Sequence, residues 1–333
     1  MHAAYPIVRD GVPANADGDG ATVLDMTLVT LPGPEWVDAV GPVSGIELAV
    51  WDLDGVPDRA DEVRVVVPPY IGAGERLAVL SQLPHLELVQ LLTAGYDNVL
   101  AVLPDGVRLA NATGVHDAST AELAVALTLA SLRDFPDFVA AQRERTWLPS
   151  VFHESLADKR VLVLGYGSIG RAVAARLTPF EVQVTAVASR ARAGDELVRS
   201  VHGVDELPEL LPHHDVVVVI VPLSDQTAGL VDDEFLAAMP DGSLLVNVAR
   251  GGVVETDALV RHATAGRIRA ALDVTDPEPL PADHPLWGLP GVFITPHVGG
   301  ASTAFMPRAA RLLQEQLGAY AAGRPLRNLV ARD

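Results

Sequence analysis

The chain is 333 residues long, 49% hydrophobic and 20% charged, with a formal charge of −19 and no cysteine. That length accommodates two domains of ordinary size; no apolar run reaches bilayer-spanning length, and no basic-then-apolar leader marks a secretory signal. The acidic balance argues against nucleic acid or an anionic membrane as partner, the lack of thiols excludes disulfides and cysteine nucleophiles, and a cytoplasmic location is expected.

Residues 1–20 are rich in Ala, Gly, Asp and Pro without periodicity, which predicts a flexible leader. From Val23 to about Ala110 short aliphatic runs such as "GIELAVWD" and "EVRVVVPP" alternate with turn segments, predicting a small α/β unit with parallel strands. "DASTAELAVALTLASLRDF" opens on Asp and Ser/Thr capping candidates and predicts a long helix, and "RERTWLPSVFHESLADKR" connects it onward. Strand-like "VLVLG", "VQVTAVAS", "DVVVVIVP", "SLLVNVAR", "RIRAALDV" and "VFITPH" then alternate with helix-patterned "DDEFLAAM" and "ETDALVRHATAG". Such alternation predicts a doubly wound parallel sheet with helices on both faces. The last helix, in "STAFMPRAARLLQEQLGAYAAG", tolerates Pro307 only in its first turn or as a kink.

The glycine turn in "VLVLGYGSIGRAVAARL" has the strand before it and the helix after it that a dinucleotide-binding Rossmann turn requires. Gly165 permits the tight turn, Gly167 admits a pyrophosphate, and Gly170 lets helix and strand pack closely. Ser168 and Ile169 open a helix whose first N–H groups face the phosphates. No Gly-Lys-Ser/Thr follows, which excludes a Walker loop. An acid roughly 20 residues on would take the ribose 2′-OH of NAD. Ala188 and Ser189 stand there instead, followed by Arg190 and Arg192. Ser189 and Arg190 therefore favour NADP over NAD, the alternative for the arginines being a solvated loop. Arg250 ends "LLVNVAR", Glu278 follows "AALDV" and His297 ends "VFITPH", so all three lie where ligands gather in such sheets. The remaining histidines lack metal-ligand spacing, and no metal site is expected.

On "GYGSIG", "VPLSDQTAGLV", "NVARGGVVE", "AALDV…PEPLP" and "TPHVGG", in family order, the chain resembles the D-isomer-specific 2-hydroxyacid dehydrogenases from about residue 23 onward. These include glyoxylate/hydroxypyruvate reductases, D-lactate dehydrogenases and phosphoglycerate dehydrogenases. The resemblance implies a Rossmann domain over 112–298 and a smaller flavodoxin-like α/β substrate domain from 1–111 and 299–333. It implies that Arg250 clamps the substrate carboxylate and polarises the carbonyl, and that His297 is the general acid. It sets Glu278 beside that ring; a carboxylate there fixes ring orientation and favours the imidazolium. It places Asp273 near the nicotinamide and Val221 and Thr227 along the cofactor groove. The residues alone allow an acid closing a strand, a strand end and a helix cap. In "TAGYD" it implies that the N–H groups of Ala94 and Gly95 bind the anion; an ordinary turn is the alternative.

The expected ligands are NADP, or else NAD, and a small anionic 2-keto or 2-hydroxy acid, glyoxylate or hydroxypyruvate first. A homodimer contacting through the helix after Ser119 is expected by the same analogy. The alternatives are an NAD-dependent phosphoglycerate or D-lactate dehydrogenase and, from another class, a dinucleotide-sensing corepressor that binds protein partners. The chain departs from the family in lacking the acid after the second cofactor strand and in carrying Thr275 where an aromatic is usual; with its last residue at 333, no regulatory domain of the kind some phosphoglycerate dehydrogenases append is expected. Loops near Ala94, Trp147 and Trp287 are expected to shape the pocket.

Overall fold

A computed structural model describes residues 26–97 and 99–331; the expected leader lies outside them. In chain order the first elements are β1 (Thr27–Leu31), α1 (Pro34–Val40), β2 (Ile46–Val50), β3 (Val63–Val66), β4 (Leu88–Gln90) and β5 (Arg108–Ala110). Two helices follow, α2 (Asp117–Leu132) and α3 (Phe135–Arg143). The second series is β6 (Arg160–Leu164), α4 (Ser168–Leu177), β7 (Gln183–Ala188), β8 (Arg192–Ala193), β9 (Ser200–Gly203), α5 (Leu207–Leu210) and β10 (Val216–Val219). It continues through α6 (Asp233–Ala238), β11 (Ser243–Asn247), α7 (Thr256–Thr264), β12 (Ile268–Leu272) and β13 (Val292–Ile294) to α8 (Phe305–Ala321). No helix among the described residues is long and apolar enough to cross a membrane.

The early strands form a five-stranded parallel sheet in the order β2-β1-β3-β4-β5. This is the flavodoxin-like order, with its switch point between β1 and β3. The later strands form an eight-stranded sheet, β13-β12-β11-β10-β6-β7-β9-β8, parallel except where β8 meets β9. Here β6 is flanked by β10 and β7, so the chain turns outward in both directions from it and leaves a crevice beyond the carboxyl ends. The β8–β9 hairpin breaks the all-parallel expectation. Its reason is local: a tight turn at Gly194, where any Cβ would meet the Val198 carbonyl at 1.9 Å.

Burial explains the sequence of the central strands. β10 reads VVVV and β11 SLLVN, with every residue buried, as strands covered on both faces require. α2 is apolar nearly all round and packs against the larger sheet through Ala121, Ala124, Val125 and Leu127. Asp117 and Ser119 do not cap it with side-chain bonds; the chain enters through His116. α8 carries Pro307 in its first turn and returns to the smaller sheet, burying Ala309, Leu313 and Leu317 against Val29, Leu31 and Val65. Buried Gln316 fixes that return by donating to Gln90 Oε1 and to the Arg327 carbonyl, both at 2.8 Å.

Burial also holds His214 below the ordinary histidine range, with its Nδ1–H donating to the Leu210 carbonyl at 2.7 Å and Nε2 facing Thr185 Oγ1 at 2.8 Å. Unfolding frees the ring to take a proton, so the folded state loses stability as pH falls below about 6.5. Denaturant midpoints recorded between about pH 7.5 and 5.5 are expected to fall less steeply in His214→Gln than in the wild type.

Candidate active site

Strand ends of the two sheets converge on one cavity of about 250 Å³. Its wall includes Ala94 and Gly95 from the loop after β4, Gly167–Gly170 after β6, Val221 after β10, Arg250 after β11, and Asp273 and His297 after β12 and β13.

His297 sits at φ +53, a left-handed conformation that a non-glycine residue adopts at a cost of about 1–3 kcal/mol. The buried Asp273 carboxylate holds the turn that imposes it. It accepts from Thr295 Oγ1 at 2.6 Å, Val298 N–H at 2.9 Å and Gly299 N–H at 2.8 Å. The Asp273 carbonyl takes the His297 N–H at 2.8 Å, and Thr120 Oγ1 of α2 donates to the Gly299 carbonyl at 3.2 Å. So fixed, His297 turns Nδ1 to Glu278 Oε1 at 2.6 Å. A carboxylate only accepts when ionised, so the ring carries its proton on Nδ1 and presents Nε2 away from Glu278.

Arg250 is positioned by an asparagine that closes β11. Asn247 Oδ1 accepts from Ala249 N–H at 3.0 Å, and its Nδ2 donates to the Arg250 carbonyl at 3.0 Å. The guanidinium crosses to the loop after β4, where Nε donates to Asp97 Oδ2 at 3.0 Å. A Cβ at residue 95 would lie 1.5 Å from Arg250 Nη2, so only glycine leaves room for the guanidinium here. Asn111 repeats the device on the smaller sheet: Oδ1 accepts from Thr113 N–H at 3.1 Å and Nδ2 donates to the Ala94 carbonyl at 2.8 Å. With carbonyls of the loop held back, the N–H groups of Ala94 and Gly95 meet no acceptor among the described residues.

The glycine turn has the features a dinucleotide needs. Gly165 stands at φ +110, and a Cβ there would meet the Ile220 carbonyl at 2.4 Å. A Cβ on Gly170 would meet the Gly165 carbonyl at 1.9 Å, whereas one on Gly167 would find nothing within 4 Å. Open space at Gly167, with no side chain capping α4, leaves the first-turn N–H groups of Ser168, Ile169 and Gly170 for an anion. These residues fit NAD(P).

Other expected site residues lie elsewhere. Thr227 is outside the cavity; its hydroxyl donates to the Pro222 carbonyl at 2.6 Å and accepts from Ser224 N–H at 2.9 Å, which makes it a turn clamp. Ser189 and Arg190 are exposed beyond the end of β7 and line neither the cavity nor the shallow groove beside it. Trp147 and Trp287 are exposed and also stand apart from the cavity.

That groove holds a carboxylate the sequence reading did not find. Asp195, brought in by the β8–β9 hairpin, accepts from Tyr166 Oη at 3.0 Å and Arg171 Nε at 3.0 Å, while Arg192 donates to the Tyr166 carbonyl at 2.7 Å. Burial, then Asp195, pushes the Tyr166 phenol up to about 12. Asn111 and Asn247 were also missed, although one follows β5, the other ends β11, and each bonds the N–H two residues on, a pattern open to recognition. Among the described residues no acidic, histidine or cysteine cluster could hold a metal.

Residues 125–299 match the family described as D-isomer specific 2-hydroxyacid dehydrogenase, NAD binding domain. The chain is 37% identical to the D-3-phosphoglycerate dehydrogenase of Mycobacterium tuberculosis H37Rv over 295 residues, 84% of this chain and 54% of that protein. It thus spans about half the length of that relative. It is 32% identical to the human glyoxylate reductase/hydroxypyruvate reductase over 249 residues, 73% of this chain and 76% of that protein. Among solved structures, the D-isomer specific 2-hydroxyacid dehydrogenase from Xanthobacter autotrophicus Py2 in complex with NADPH and MES superposes with a TM-score of 0.76 at 32% identity, covering 91% of this chain and 98% of that one.

The two kinds of glycine in the turn separate experimentally. Gly170→Ala is expected to lose about 1–3 kcal/mol of stability in denaturant unfolding, since its Cβ enters occupied space. Gly167→Ala is expected to stay within about 0.5 kcal/mol of wild type yet to weaken NADPH binding, followed by nucleotide fluorescence, at least about tenfold.

Proposed function

The chain belongs to the D-isomer specific 2-hydroxyacid dehydrogenase family, and from that premise we propose that it is an NAD(P)-dependent reductase of a small 2-keto acid, with glyoxylate and hydroxypyruvate as the substrates it fits best. The observation that carries this reading is that Arg250 and His297, from different strands, line one cavity with the glycine turn, and that His297 is braced by Glu278.

The substrate carboxylate binds the N–H groups of Ala94 and Gly95 and the free donors of Arg250. The same guanidinium polarises the keto oxygen and stabilises the charge that grows on it. When bound, the nicotinamide supplies a hydride from C4 to the keto carbon. His297, with Nδ1 on Glu278, delivers its Nε2 proton to the oxygen, and as a neutral ring it removes that proton in the oxidative direction. Asp273 acts through the 295–299 turn by keeping His297 in place.

NADP is favoured over NAD because Arg190 has no hydrogen bond or ion pair among the described residues and can meet a 2′-phosphate beside Ser189. Asp195 is the feature that opposes it, and its bonds to Tyr166 and Arg171 restrain it from the ribose. Residues 1–111 and 299–333 are taken as the substrate domain and 112–298 as the dinucleotide domain, with closure of the cleft between them excluding water; the return of α8 to the smaller sheet supports this. A homodimer is supported by exposed apolar residues on α3 and the stretch after it: Phe135, Phe138, Val139, Trp147, Val151 and Phe152. α2, expected to make that contact, is largely used within the chain's own core. A cytoplasmic location fits a thiol-free enzyme drawing on a soluble nucleotide.

Following NADPH and NADH absorbance with several 2-keto acids tests the assignment. Oxidation faster with NADPH is expected; no oxidation with any keto acid would leave a dinucleotide-binding protein instead. His297→Ala is expected to lower kcat by about 10²–10⁴-fold with NADPH affinity unchanged by fluorescence titration.

A further inference from the structure

The cations around the cavity decide what charge a substrate can bring. Arg250 is the single arginine among the described lining residues, and no lysine reaches it. Lys159, the chain's one lysine, is paired with Glu154. Arg250 is itself partly engaged, with Nε on Asp97 and Nη1 donating to the Ala249 carbonyl at 2.8 Å. Asp97 and Asp273 add carboxylates to the same wall. Arg76, on the segment after Tyr70, is turned to the Gly72 carbonyl at 2.8 Å and the Asp52 carbonyl at 2.9 Å.

The groups that complete this wall are neutral and polar. Tyr70 lies within the fields of Asp273 and Arg250; burial first, then Asp273, raises its phenol, which stays a neutral hydroxyl donor. His116 stacks on it at 5.4 Å between ring centroids, and Phe305 closes the stack at 4.2 Å from Tyr70. Burial lowers His116, and its Nε2 meets the Leu92 carbonyl at 2.8 Å, so the ring is neutral with its proton on Nε2. Nδ1 is then the ring's acceptor edge, buried beside Gly300. A Cβ on Gly300 would come 2.3 Å from Tyr70 Oη and 2.8 Å from His116 Nδ1. The bare glycine is what lets both polar ring edges stand at that point of the wall.

We propose that Tyr70, backed by His116 and Gly300, is a specificity-determining residue: the cleft takes a 2-keto acid bearing one negative charge and a neutral, hydrogen-bonding C3 substituent, and rejects the C3 phosphate ester. The inference rests on the reductase reading given above. A phosphate ester adds about −1.5 to −2 of charge at neutral pH, and among the described lining residues no second guanidinium or ammonium is there to receive it. Tyr70 Oη instead offers a hydrogen bond to a C3 hydroxyl. This parts the chain from the phosphoglycerate dehydrogenases it resembles in sequence.

The experiment uses the full chain with glyoxylate, hydroxypyruvate and 3-phosphohydroxypyruvate. Turnover is read with NADPH, and keto acid binding is read by calorimetry in the NADP⁺ complex, where no hydride can be delivered. Hydroxypyruvate is expected to exceed its phosphate ester by at least about 100-fold in kcat/KM and to bind more tightly. Tyr70→Phe is expected to lower kcat/KM for hydroxypyruvate about tenfold while glyoxylate, which has no C3 group, stays within about twofold. Tyr70→Arg is expected to narrow the preference over the ester. An ester used or bound as well as hydroxypyruvate overturns the inference, as does a Tyr70→Phe loss equal for both unphosphorylated acids. Preferred binding of hydroxypyruvate over the ester without any turnover upholds it while sinking the reductase reading, and binding of neither acid overturns both.

Discussion

One buried carboxylate holds the chemistry in place. Asp273 closes β12 and gathers the 295–299 turn through a hydroxyl and successive backbone N–H groups. The turn forces His297 into a left-handed conformation that costs about 1–3 kcal/mol. Hydrogen bonds to a charged acceptor contribute about 1.5–3 kcal/mol each, so the contacts to Asp273 more than offset the strain. The same turn carries Gly299 to Thr120 of α2 and Gly300 to the Tyr70–His116 pair. A single anchor therefore sets the imidazole, the chain's passage from β13 to α8, and part of the cavity wall.

Around that anchor the proposed function makes a second demand, which is to attract an anion into a chain of net charge −19. The answer is local: one guanidinium threaded past a glycine, and backbone N–H groups freed because Asn111 and Thr93 hold the neighbouring carbonyls. Asp97 orients Arg250 at the cost of part of its charge. Under the proposed function such a site holds one carboxylate and has little left for a second anion.

The shallow groove beside the glycine turn shows the same economy of charge. Arg192 follows the second cofactor strand as a cation for a phosphate, yet the Tyr166 carbonyl engages it, and Asp195 engages Arg171 beside it. Arg190 is the arginine of this group without a partner among the described residues, exposed beyond the end of β7. Surface ion pairs of this kind contribute little to stability; their effect is to decide which guanidinium remains for a ligand.

Local pattern was enough for much of this protein. Alternating aliphatic runs and amphipathic stretches define parallel α/β architecture because strands buried on both faces must be apolar throughout, as β10 and β11 are. The G-x-G-x-x-G turn announces itself because its constraints act within six residues, and Pro307 marks the first turn of α8 by removing an N–H not needed there. What the sequence by itself determined, then, were the features whose causes are neighbours in the chain. Tertiary structure alone decided that Asp97 meets Arg250, that Asp195 enters the groove from a hairpin instead of from the end of β7, and that Tyr70, His116 and Gly300 share one wall. The physical reason is distance along the chain. These groups interact through space with strengths set by burial and orientation, and neither quantity exists until the two sheets are folded and docked.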